Sequence, residues 1–306
     1  TIFDLVQNMD DVRYTSILNP IPDSFTGDIA IDSENNLWYT NWVADTTGFL
    51  VKFNFEDYQN EMSSDDTETT LENYIEAFDF PNDLNTANGL SVDQNGDIWI
   101  VDTSSSFFFR FDPTTETFTK YITTKPPLST YGNVTGVIKS PVSRPYWIDT
   151  DNLGNLVFNE QTSNQIAIFD VKNESLVEYM IPSKNPNWAD CDLDSTSNCG
   201  ISQIFGFDVV DGAIWFTEWA ENNIGVIDTT KSLPFTLNTD NQTLAIKKGQ
   251  TGKITLTVTY EDISNYASSQ IKTSHTASTT TNFSDILISW SRGSLQANSE
   301  IITLSI

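Results

Sequence analysis

Residues 90–102 read LSVDQNGDIWIVD. This stretch holds two short apolar runs on either side of a polar turn that contains Asn95 and Gly96. Asparagine and glycine accept the positive φ angles of tight hairpin turns, so the stretch predicts a β-hairpin. Amphipathic periodicity of 3.6 residues is almost absent along the chain, which argues against alternating helices and a parallel sheet.

The hairpin pattern occurs four times, each time as an apolar run, an aspartate, a polar turn and a second apolar run that contains an aromatic residue. The four aspartates are Asp32, Asp93, Asp149 and Asp208. They are 61, 56 and 59 residues apart, a step that a sandwich of many strands does not explain. Two further β-rich runs complete a repeat. Four strands from an apolar inner strand to a polar edge are typical of a propeller blade, so we predict an all-β fold, a β-propeller with at least four blade repeats.

The propeller is predicted to occupy residues 1–234. Its steps exceed the ~40–45 residues of a minimal blade, which indicates insertions. The inserted segments are 56–72, 123–143 and 183–200. Residues 1–22 read as the outer strands of a preceding blade, and the last repeat, which ends near Asp228, lacks a clear fourth strand. Joining these two parts would close a four-bladed ring; the alternative, which we favour, is a ring of six or seven blades completed by further residues.

Residues 235–306 differ in character, because they are rich in Ser and Thr and alternate between apolar and polar side chains. The alternation is clear at 253–260 and 285–290, and it predicts strands with one buried face. The run 244–251 is similar to the early strand and turn of immunoglobulin-like accessory domains on extracellular proteins. We therefore expect a small immunoglobulin-like β-sandwich, incomplete because the segment is short for that fold.

The chain is strongly acidic, with 42 Asp and Glu against 15 Lys and Arg and a net charge of −27. Nucleic acids and anionic membranes attract clustered positive charge, so the composition argues against both as partners. The acidity suits a soluble surface that resists aggregation, or one that collects cations. No apolar run reaches the ~20 residues that span a bilayer, so no transmembrane segment is predicted.

Cys191 and Cys199 are the two cysteines, and they predict a disulfide that closes a short loop. Disulfides persist in oxidising compartments, so we expect an extracellular or cell-surface protein. Four Asn-x-Ser/Thr sequons are candidate glycosylation sites, although a chain so rich in Asn, Ser and Thr would contain as many by chance. The sequons are Asn133, Asn173, Asn241 and Asn282.

The cysteine loop also contains a candidate calcium site. Asp190, Asp192 and Asp194 have the 1-3-5 spacing of a calcium-binding loop. Ser195 and Ile201 stand where an EF-hand has Gly and Glu, so an EF-hand is excluded. Calcium binding is therefore one interpretation of this loop and is not required by its sequence.

The last repeat carries a family resemblance. Residues 211–218 read DGAIWFTE, and the recurring pattern resembles the virginiamycin B lyase (streptogramin lyase) group of propellers over residues 25–230. In that family a His-Gly-Ile strand start supplies a catalytic histidine, which works with a Glu and a magnesium ion. The corresponding starts here begin with Asn88 and Phe205, and His275, the only histidine, lies in the C-terminal segment. Histidine is the usual general base near neutral pH, so the resemblance implies the scaffold while the missing histidine disfavours lyase chemistry.

Four polar residues end the second strand of successive repeats: Asn41, Asp102, Glu160 and Glu218. Equivalent positions of a propeller come together around its axis, so we expect an acidic ring that could hold Ca²⁺, Mg²⁺ or a cationic ligand. Metal-dependent lactonases on six-bladed propellers use a Glu, Asn and Asp set, and Glu218, Asn88 and Asp102 resemble it in residue type. The alternative is that these side chains cap strand ends and are solvated.

Six tryptophans fall into two groups. Trp38, Trp99 and Trp215 follow the repeat and are predicted to lie in the blade core. Trp42, Trp188 and Trp219 follow strand ends or lie in loops. The second group forms either an aromatic rim for carbohydrate or peptide, or loop anchors packed on the propeller.

These observations favour a non-catalytic extracellular or cell-surface propeller used for binding or surface assembly. Its expected partners are other extracellular proteins or carbohydrate, and no cofactor is required. The alternative is a metal-dependent propeller enzyme related to the streptogramin lyases or the lactonases. A metal bound on the axis beside a pocket would distinguish the enzyme.

Overall fold

The computed structural model describes residues 24–43, 47–62, 71–194, 198–233, 235–240, 245–247, 250–260, 289–292 and 299–305. The chain divides into two compact units, Thr1–Ile227 and Asp228–Ile306. Antiparallel sheets dominate both, which confirms the all-β class. The described part of the chain contains no helix that is long and apolar enough to cross a membrane.

Four sheets build the first unit, and in each one the strands that follow each other in sequence are neighbours in the sheet. Sheet 1 consists of β1 (Phe25–Ile31), β2 (Leu37–Val43), β3 (Thr47–Phe53) and β4 (Ile75–Asp79). Sheet 2 consists of β5 (Ala87–Val92), β6 (Ile98–Asp102), β7 (Phe107–Asp112) and β8 (Thr117–Ile122). Sheet 3 consists of β9 (Pro145–Thr150), β10 (Leu156–Glu160), β11 (Gln165–Asp170) and β12 (Ser175–Met180). Sheet 4 consists of β13 (Ile204–Val210), β14 (Ala213–Glu218) and β15 (Asn223–Asp228).

The innermost strands of the four sheets stand side by side, with β1 against β5, β5 against β9, and β9 against β13. The other strands of each sheet follow outward. Consecutive meanders arranged in this way are propeller blades, as predicted. Sheet 4 has three strands among the described residues, in agreement with the missing fourth strand in its sequence. The outer strands predicted at 1–22 lie outside the described residues.

Short helices occupy the inserted segments. They are α1 (Phe55–Met62), α2 (Leu128–Tyr131) and the 3₁₀ helices Leu71–Tyr74 and Pro186–Trp188. In α1, Tyr58 packs on Phe53 and Tyr74, with ring centroids 5.4 and 5.8 Å away. This contact covers the face of sheet 1 that does not meet sheet 2.

Apolar side chains fill the spaces between consecutive sheets. The buried pairs include Trp38 and Phe109 between sheets 1 and 2, Trp99 and Phe158 between sheets 2 and 3, and Ile166 and Phe216 between sheets 3 and 4. Successive residues of a strand point to opposite faces, so a sheet with a neighbour on each side needs apolar residues at nearly every position. This explains the unbroken apolar runs in the sequence.

One aspartate holds the hairpin turn between the two inner strands. In sheet 2, Oδ1 of Asp93 accepts the backbone N–H groups of Asn95 and Asp97 at 2.8 and 3.1 Å. Oδ2 accepts the indole N–H of Trp99 at 2.9 Å. Asp32 serves the same purpose in sheet 1. One carboxylate therefore satisfies the turn amides and a buried indole together, which couples the turn to the core.

In sheet 3 the equivalent aspartate is Asp151, which corrects the predicted repeat at Asp149. Oδ1 of Asp151 accepts the backbone N–H of Asn155 at 2.8 Å, and Oδ2 accepts the side-chain amide of the same residue at 2.8 Å. Asp149 lies inside β9, opposite Val157. Val157 stands where sheets 1 and 2 have a tryptophan. Oδ2 of Asp151 therefore accepts the side-chain amide of Asn155 and no indole N–H.

Sheet 4 departs from the pattern in a second way. Asp208 lies inside β13, opposite Trp215, and caps no turn of this kind. The turn is the two-residue pair Asp211 and Gly212, both with positive φ, at 49° and 78°. A two-residue hairpin with positive φ at both positions closes without a capping carboxylate.

The second unit contains one antiparallel sheet of four strands in the order β16-β17-β19-β18. They are β16 (Phe235–Thr239), β17 (Lys253–Tyr260), β18 (Ser289–Arg292) and β19 (Ser299–Ser305). A sandwich requires two sheets, and the described residues of this unit form one. The immunoglobulin-like sandwich therefore stays a prediction.

The repeat tryptophans differ in burial. Trp38 and Trp99 are 1 % and 0 % exposed, as expected for blade core, whereas Trp215 is 48 % exposed. The prediction of a core position was wrong for Trp215. Among the described residues of the first unit, no further sheet covers this face of sheet 4.

Trp99 and Trp215 occupy equivalent strand positions and form a matched pair. Trp99→Ala should lower the free energy of unfolding by about 3–5 kcal/mol, because it leaves a cavity between sheets 2 and 3 and removes the donor to Asp93. Trp215→Ala should lower the free energy of unfolding much less, because the Trp215 ring is half exposed. Urea denaturation followed by circular dichroism measures both, and equal losses would contradict the different burial of the two rings.

Candidate functional site

Each inner strand carries a bulge at the same place, near its start. There the pairing between the first and second strands shifts register in all four sheets. The residues left out of the pairing are Gly27 and Asp28, Asn88, Tyr146 and Trp147, and Phe205 and Gly206. Bulges re-aim side chains and are frequent beside functional sites. We call this end of the sheets the bulge end and take it as the candidate site.

The four predicted ring residues lie beside these bulges. Asn41, Asp102, Glu160 and Glu218 each pair with the inner-strand residue that precedes the bulge. All four are buried, with no more than 5 % of their surface exposed. On β6, Asp102 shares a strand face with Ile98 and Ile100, which pack against sheet 1. The acids therefore point into the spaces between sheets.

Three of the ring residues have hydrogen-bond partners, although Oδ1 of Asn41 and Oδ2 of Asp102 are buried without one. Oδ1 of Asp102 accepts the hydroxyl of Ser104 at 2.7 Å, and Glu218 accepts the side-chain amide of Asn223 at 3.0 Å. Asn41 donates to a backbone carbonyl of β1 at 3.2 Å. Across the described ranges, no group of three or more His, Cys, Asp or Glu side chains could hold a metal ion. A cation or ligand on the axis stays a prediction.

Glu160 differs from the other ring residues. It is fully buried, and neither carboxylate oxygen accepts a hydrogen bond of good geometry. Burial raises the pKa of Glu160 well above its usual value, and the charge of Glu178 adds to the rise. The hydroxyl groups of Thr123 and Ser143 act in the opposite direction without cancelling it.

The bulge of sheet 1 presents an acid that the sequence pattern did not single out. Oδ2 of Asp28 accepts the backbone N–H of Leu90, in sheet 2, at 3.2 Å. Burial raises the pKa of Asp28, and the negative charge of Asp149 on β9 adds to the rise. An alternating pattern cannot reveal a bulge residue, because the bulge interrupts the alternation.

Asn88, the bulge residue of sheet 2, makes a link between sheets. Its side-chain amide donates to the hydroxyl of Thr103 at 2.9 Å, and that hydroxyl donates to the carbonyl of Pro145, in sheet 3, at 2.9 Å. The predicted ligand residue is thus engaged in a contact between neighbouring sheets.

Aromatic residues occupy the bulges of sheets 3 and 4. The ring of Phe205 lies 5.6 Å from Tyr146 and 6.2 Å from Trp219, and Trp219 lies 5.0 Å from Trp188. Trp147 stands at a right angle to Tyr146, 4.9 Å away. Trp188, Phe205 and Trp219 are 42 %, 47 % and 62 % exposed. We call these five residues the aromatic cluster.

Trp42 lies outside the aromatic cluster. Its ring is half-buried and packs 5.3 Å from Phe25 in sheet 1. Of the three tryptophans predicted as an aromatic rim, the structure therefore brings together Trp188 and Trp219.

The cysteine loop contains the predicted disulfide between Cys191 and Cys199, which is confirmed. Asp190 accepts the hydroxyl of Thr135 at 2.8 Å, so this carboxylate is engaged within the protein. Oδ1 of Asp192 accepts the backbone N–H of the third acid, Asp194, at 3.1 Å. Calcium binding by this loop stays a prediction.

Two of the four sequons fall in the described part of the chain. The side-chain amide of Asn133 donates to the carbonyl of Ile138 at 3.2 Å, and that of Asn173 donates to Asp170 at 2.6 Å. Asn173 is exposed and Asn133 is half-buried. Asn241 and Asn282 lie outside the described residues. Glycosylation stays a prediction at all four.

No protein-family model matches this chain, and no curated protein does. Among solved structures, a catalytically inactive virginiamycin B lyase from Staphylococcus aureus with quinupristin is 18 % identical, with a TM-score of 0.46 over 68 % of this chain and 54 % of that one. A streptogramin B lyase is 19 % identical, with a TM-score of 0.45 over 71 % of this chain and 59 % of that one.

An auxiliary nutrient-binding protein from Bacteroides ovatus is 12 % identical, with a TM-score of 0.42 over 69 % of this chain and 46 % of that one. The chain thus spans less than two thirds of the length of each of these structures.

The raised pKa of Asp28 gives stability a defined dependence on pH. The folded state holds the Asp28 proton more tightly than the unfolded state does, so this residue's contribution to stability falls as pH rises above about 3.9. Asp28→Asn removes that contribution, and the melting temperature of the variant minus that of the wild type should increase between about pH 3 and pH 6.

Asp112→Asn is the matched control with the opposite sign. Hydrogen bonds from Thr115 and Thr114 lower the pKa of Asp112, so its contribution to stability is present above the unfolded pKa and is lost as pH falls. The melting temperature of Asp112→Asn minus that of the wild type should therefore decrease between about pH 3 and pH 6. Parallel pH slopes for the two variants, measured by differential scanning fluorimetry, would refute the assignment of Asp28.

Proposed function

We propose that this protein is a non-catalytic binding propeller that acts outside the cell, and that the aromatic cluster contacts its partner. The observation that carries the proposal is the exposure of Trp188 and Trp219, whose rings touch each other while 42 % and 62 % of their surfaces face solvent. Contiguous exposed apolar groups mark interaction sites, and tryptophan is prominent among the residues that dominate binding energy.

The aromatic cluster is held by ordered structure on two sides. Tyr146 and Phe205 belong to strands, and the backbone N–H of Trp219 donates to the carbonyl of Gln203 at 3.0 Å. Trp188 ends a 3₁₀ helix that begins at Pro186. Side chains that are already positioned lose little entropy on binding, so this surface is suited to recognition.

The partner class that fits best is a protein segment with positive charge. The chain has a net charge of −27, so basic partners are attracted to it and acidic ones are repelled. An arginine guanidinium stacks on the face of an indole ring, and this contact would join charge attraction with the aromatic cluster. Carbohydrate, the other partner class expected from the sequence, is tested alongside.

The extracellular assignment is supported by the disulfide. Cys191 and Cys199 close the loop that follows Trp188, and a disulfide of this kind persists in an oxidising compartment. The same bond restrains a segment close to the aromatic cluster, so oxidation would favour an ordered binding surface.

The test is a binding titration with arginine-containing peptides and with neutral oligosaccharides, followed by tryptophan fluorescence and by calorimetry at about 0.15 M salt. The double variant Trp188→Ala/Trp219→Ala should weaken peptide affinity by roughly tenfold or more, as expected for the loss of two stacking rings.

Leu153→Ala is the control, because Leu153 is 78 % exposed in a hairpin turn of sheet 3 and is not in the aromatic cluster. It should bind as the wild type does. Equal affinity of the double variant and the wild type would reject the aromatic cluster as the binding surface. Binding of oligosaccharide alone, lost in the double variant, would keep the surface and replace the partner class.

A further inference from the structure

The space between sheets 2 and 3 ends in a group of oxygen-bearing side chains at the bulge end. Its members are Glu160, Gln165, Glu178, Thr123 and Ser143, which we call the Glu160 cluster. Further from the bulge end, apolar residues such as Phe108 and Phe158 fill the space between the two sheets. The cluster is thus the polar end of an otherwise apolar interface.

Strand pairing places three of these side chains on one face of sheet 3. Glu160 lies directly opposite Gln165 on β11. Glu178 lies on β12 opposite Ala167, two residues along from Gln165. Directly opposed residues, and residues two apart on one strand, share a face of the sheet. This is the face that packs against sheet 2, because Ala167 and Phe158 belong to that core.

Two hydroxyl groups come from the segment that connects sheets 2 and 3, Thr123 at its start and Ser143 near its end. Thr123 follows β8, the outer strand of sheet 2, and its hydroxyl is hydrogen-bonded to that of Ser143. Both residues are fully buried, and both act on the carboxyl group of Glu160. The Glu160 cluster therefore combines side chains of sheet 3 with hydroxyl groups of the segment that connects the two sheets.

Three buried acceptor oxygens of the cluster have no hydrogen-bond partner. They are Oε1 of Gln165, which is 8 % exposed, and both carboxylate oxygens of Glu160, which is 0 % exposed and receives only poorly aligned contacts from the hydroxyl groups of Thr123 and Ser143. At the equivalent position of sheet 4, Glu218 is satisfied by the amide of Asn223, five residues on. An acceptor buried without a partner is costly, and a buried carboxylate more so.

The charge of the cluster is also unbalanced. Glu178 accepts the backbone N–H of Thr124 at 2.7 Å, but among the described residues no lysine or arginine forms an ion pair with Glu160 or Glu178. The cluster combines the buried acid Glu160, the half-buried acid Glu178, an amide oxygen and two hydroxyl oxygens, so its donor set consists of oxygen alone.

We propose that the Glu160 cluster is a calcium site that joins sheets 2 and 3. Calcium prefers six to eight oxygen ligands and accepts carboxylate, amide and hydroxyl oxygens together, which matches this donor set. A bound cation would satisfy the unpartnered acceptors and neutralise the two acids. This site lies between sheets, and it shares no residue with the cysteine loop.

The test is the calcium content of the full chain by mass spectrometry after desalting, together with melting temperatures in about 1 mM calcium or in chelator. Wild-type protein should retain one more calcium than Glu160→Gln and should melt several degrees higher with calcium than without. Gln165→Met removes the amide oxygen at nearly constant volume. It should weaken calcium affinity by roughly tenfold or more, since the loss of an outer-shell partner of a metal already costs about that much.

Two controls isolate the site. Glu218→Gln changes the equivalent position of sheet 4, and Asp192→Asn changes the cysteine loop, so both should keep the calcium response. A wild-type melting temperature that is the same in calcium and in chelator would overturn the proposal and assign a proton to Glu160. A calcium response lost in Asp192→Asn but kept in Glu160→Gln would also overturn it. If Glu160→Gln does not fold, the wild-type comparison and Gln165→Met decide.

Discussion

Neighbouring sheets of the first unit bury each other's apolar faces. A meander of three or four short strands cannot hide its apolar side chains by itself, so each sheet is stable only against its neighbours. Between sheets 2 and 3, for example, the ring of Phe169 lies 5.5 Å from that of Trp99 and 5.1 Å from that of Phe108. Ile29 in sheet 1 and Trp215 in sheet 4 are exposed apolar residues, and each of these two sheets has one neighbouring sheet among the described residues.

Polar groups near the strand ends set how neighbouring sheets meet. The hydroxyl of Thr40 donates to the carbonyl of Ala87 at 2.7 Å, and Asn159, at the equivalent position of sheet 3, donates to the carbonyl of Ile204 at 2.8 Å. These bonds join the second strand of one sheet to the start of the next. They hold the bulge end together and leave the side chains of the bulges themselves to vary.

The sequence was sufficient for the parts of the fold that local chemistry decides. The turn at Asn95 and Gly96, the blade repeat and the disulfide were predictable, because turn residues, alternation and two cysteines act over short distances. The aspartate of sheet 3 was misplaced by two residues, since Asp149 and Asp151 both fit a pattern that ignores hydrogen bonds. Alternation along one strand also could not show that no described sheet covers the ring of Trp215.

The candidate site was less predictable, because it depends on contacts between distant segments. Strand ends could be located, but whether Asp102 or Glu160 faces an axis or a neighbouring sheet depends on packing that no local pattern encodes. The contact of Trp188 with Trp219 joins an insertion to a strand end of the next sheet. The sequence showed that both tryptophans lie outside the repeat, but it did not show that their rings are in contact.

The repeated bulge has a consequence for how such a protein can change over time. Because the bulge residues stand outside the strand pairing, a substitution of one of their side chains alters the chemistry of the bulge end without breaking the backbone pairing between the first two strands. The four positions already differ, with an acid in sheet 1, an amide in sheet 2 and aromatic rings in sheets 3 and 4. Repeated blades thus provide one scaffold whose bulge side chains can differ from sheet to sheet, and binding specificity can change at these positions while the architecture is retained.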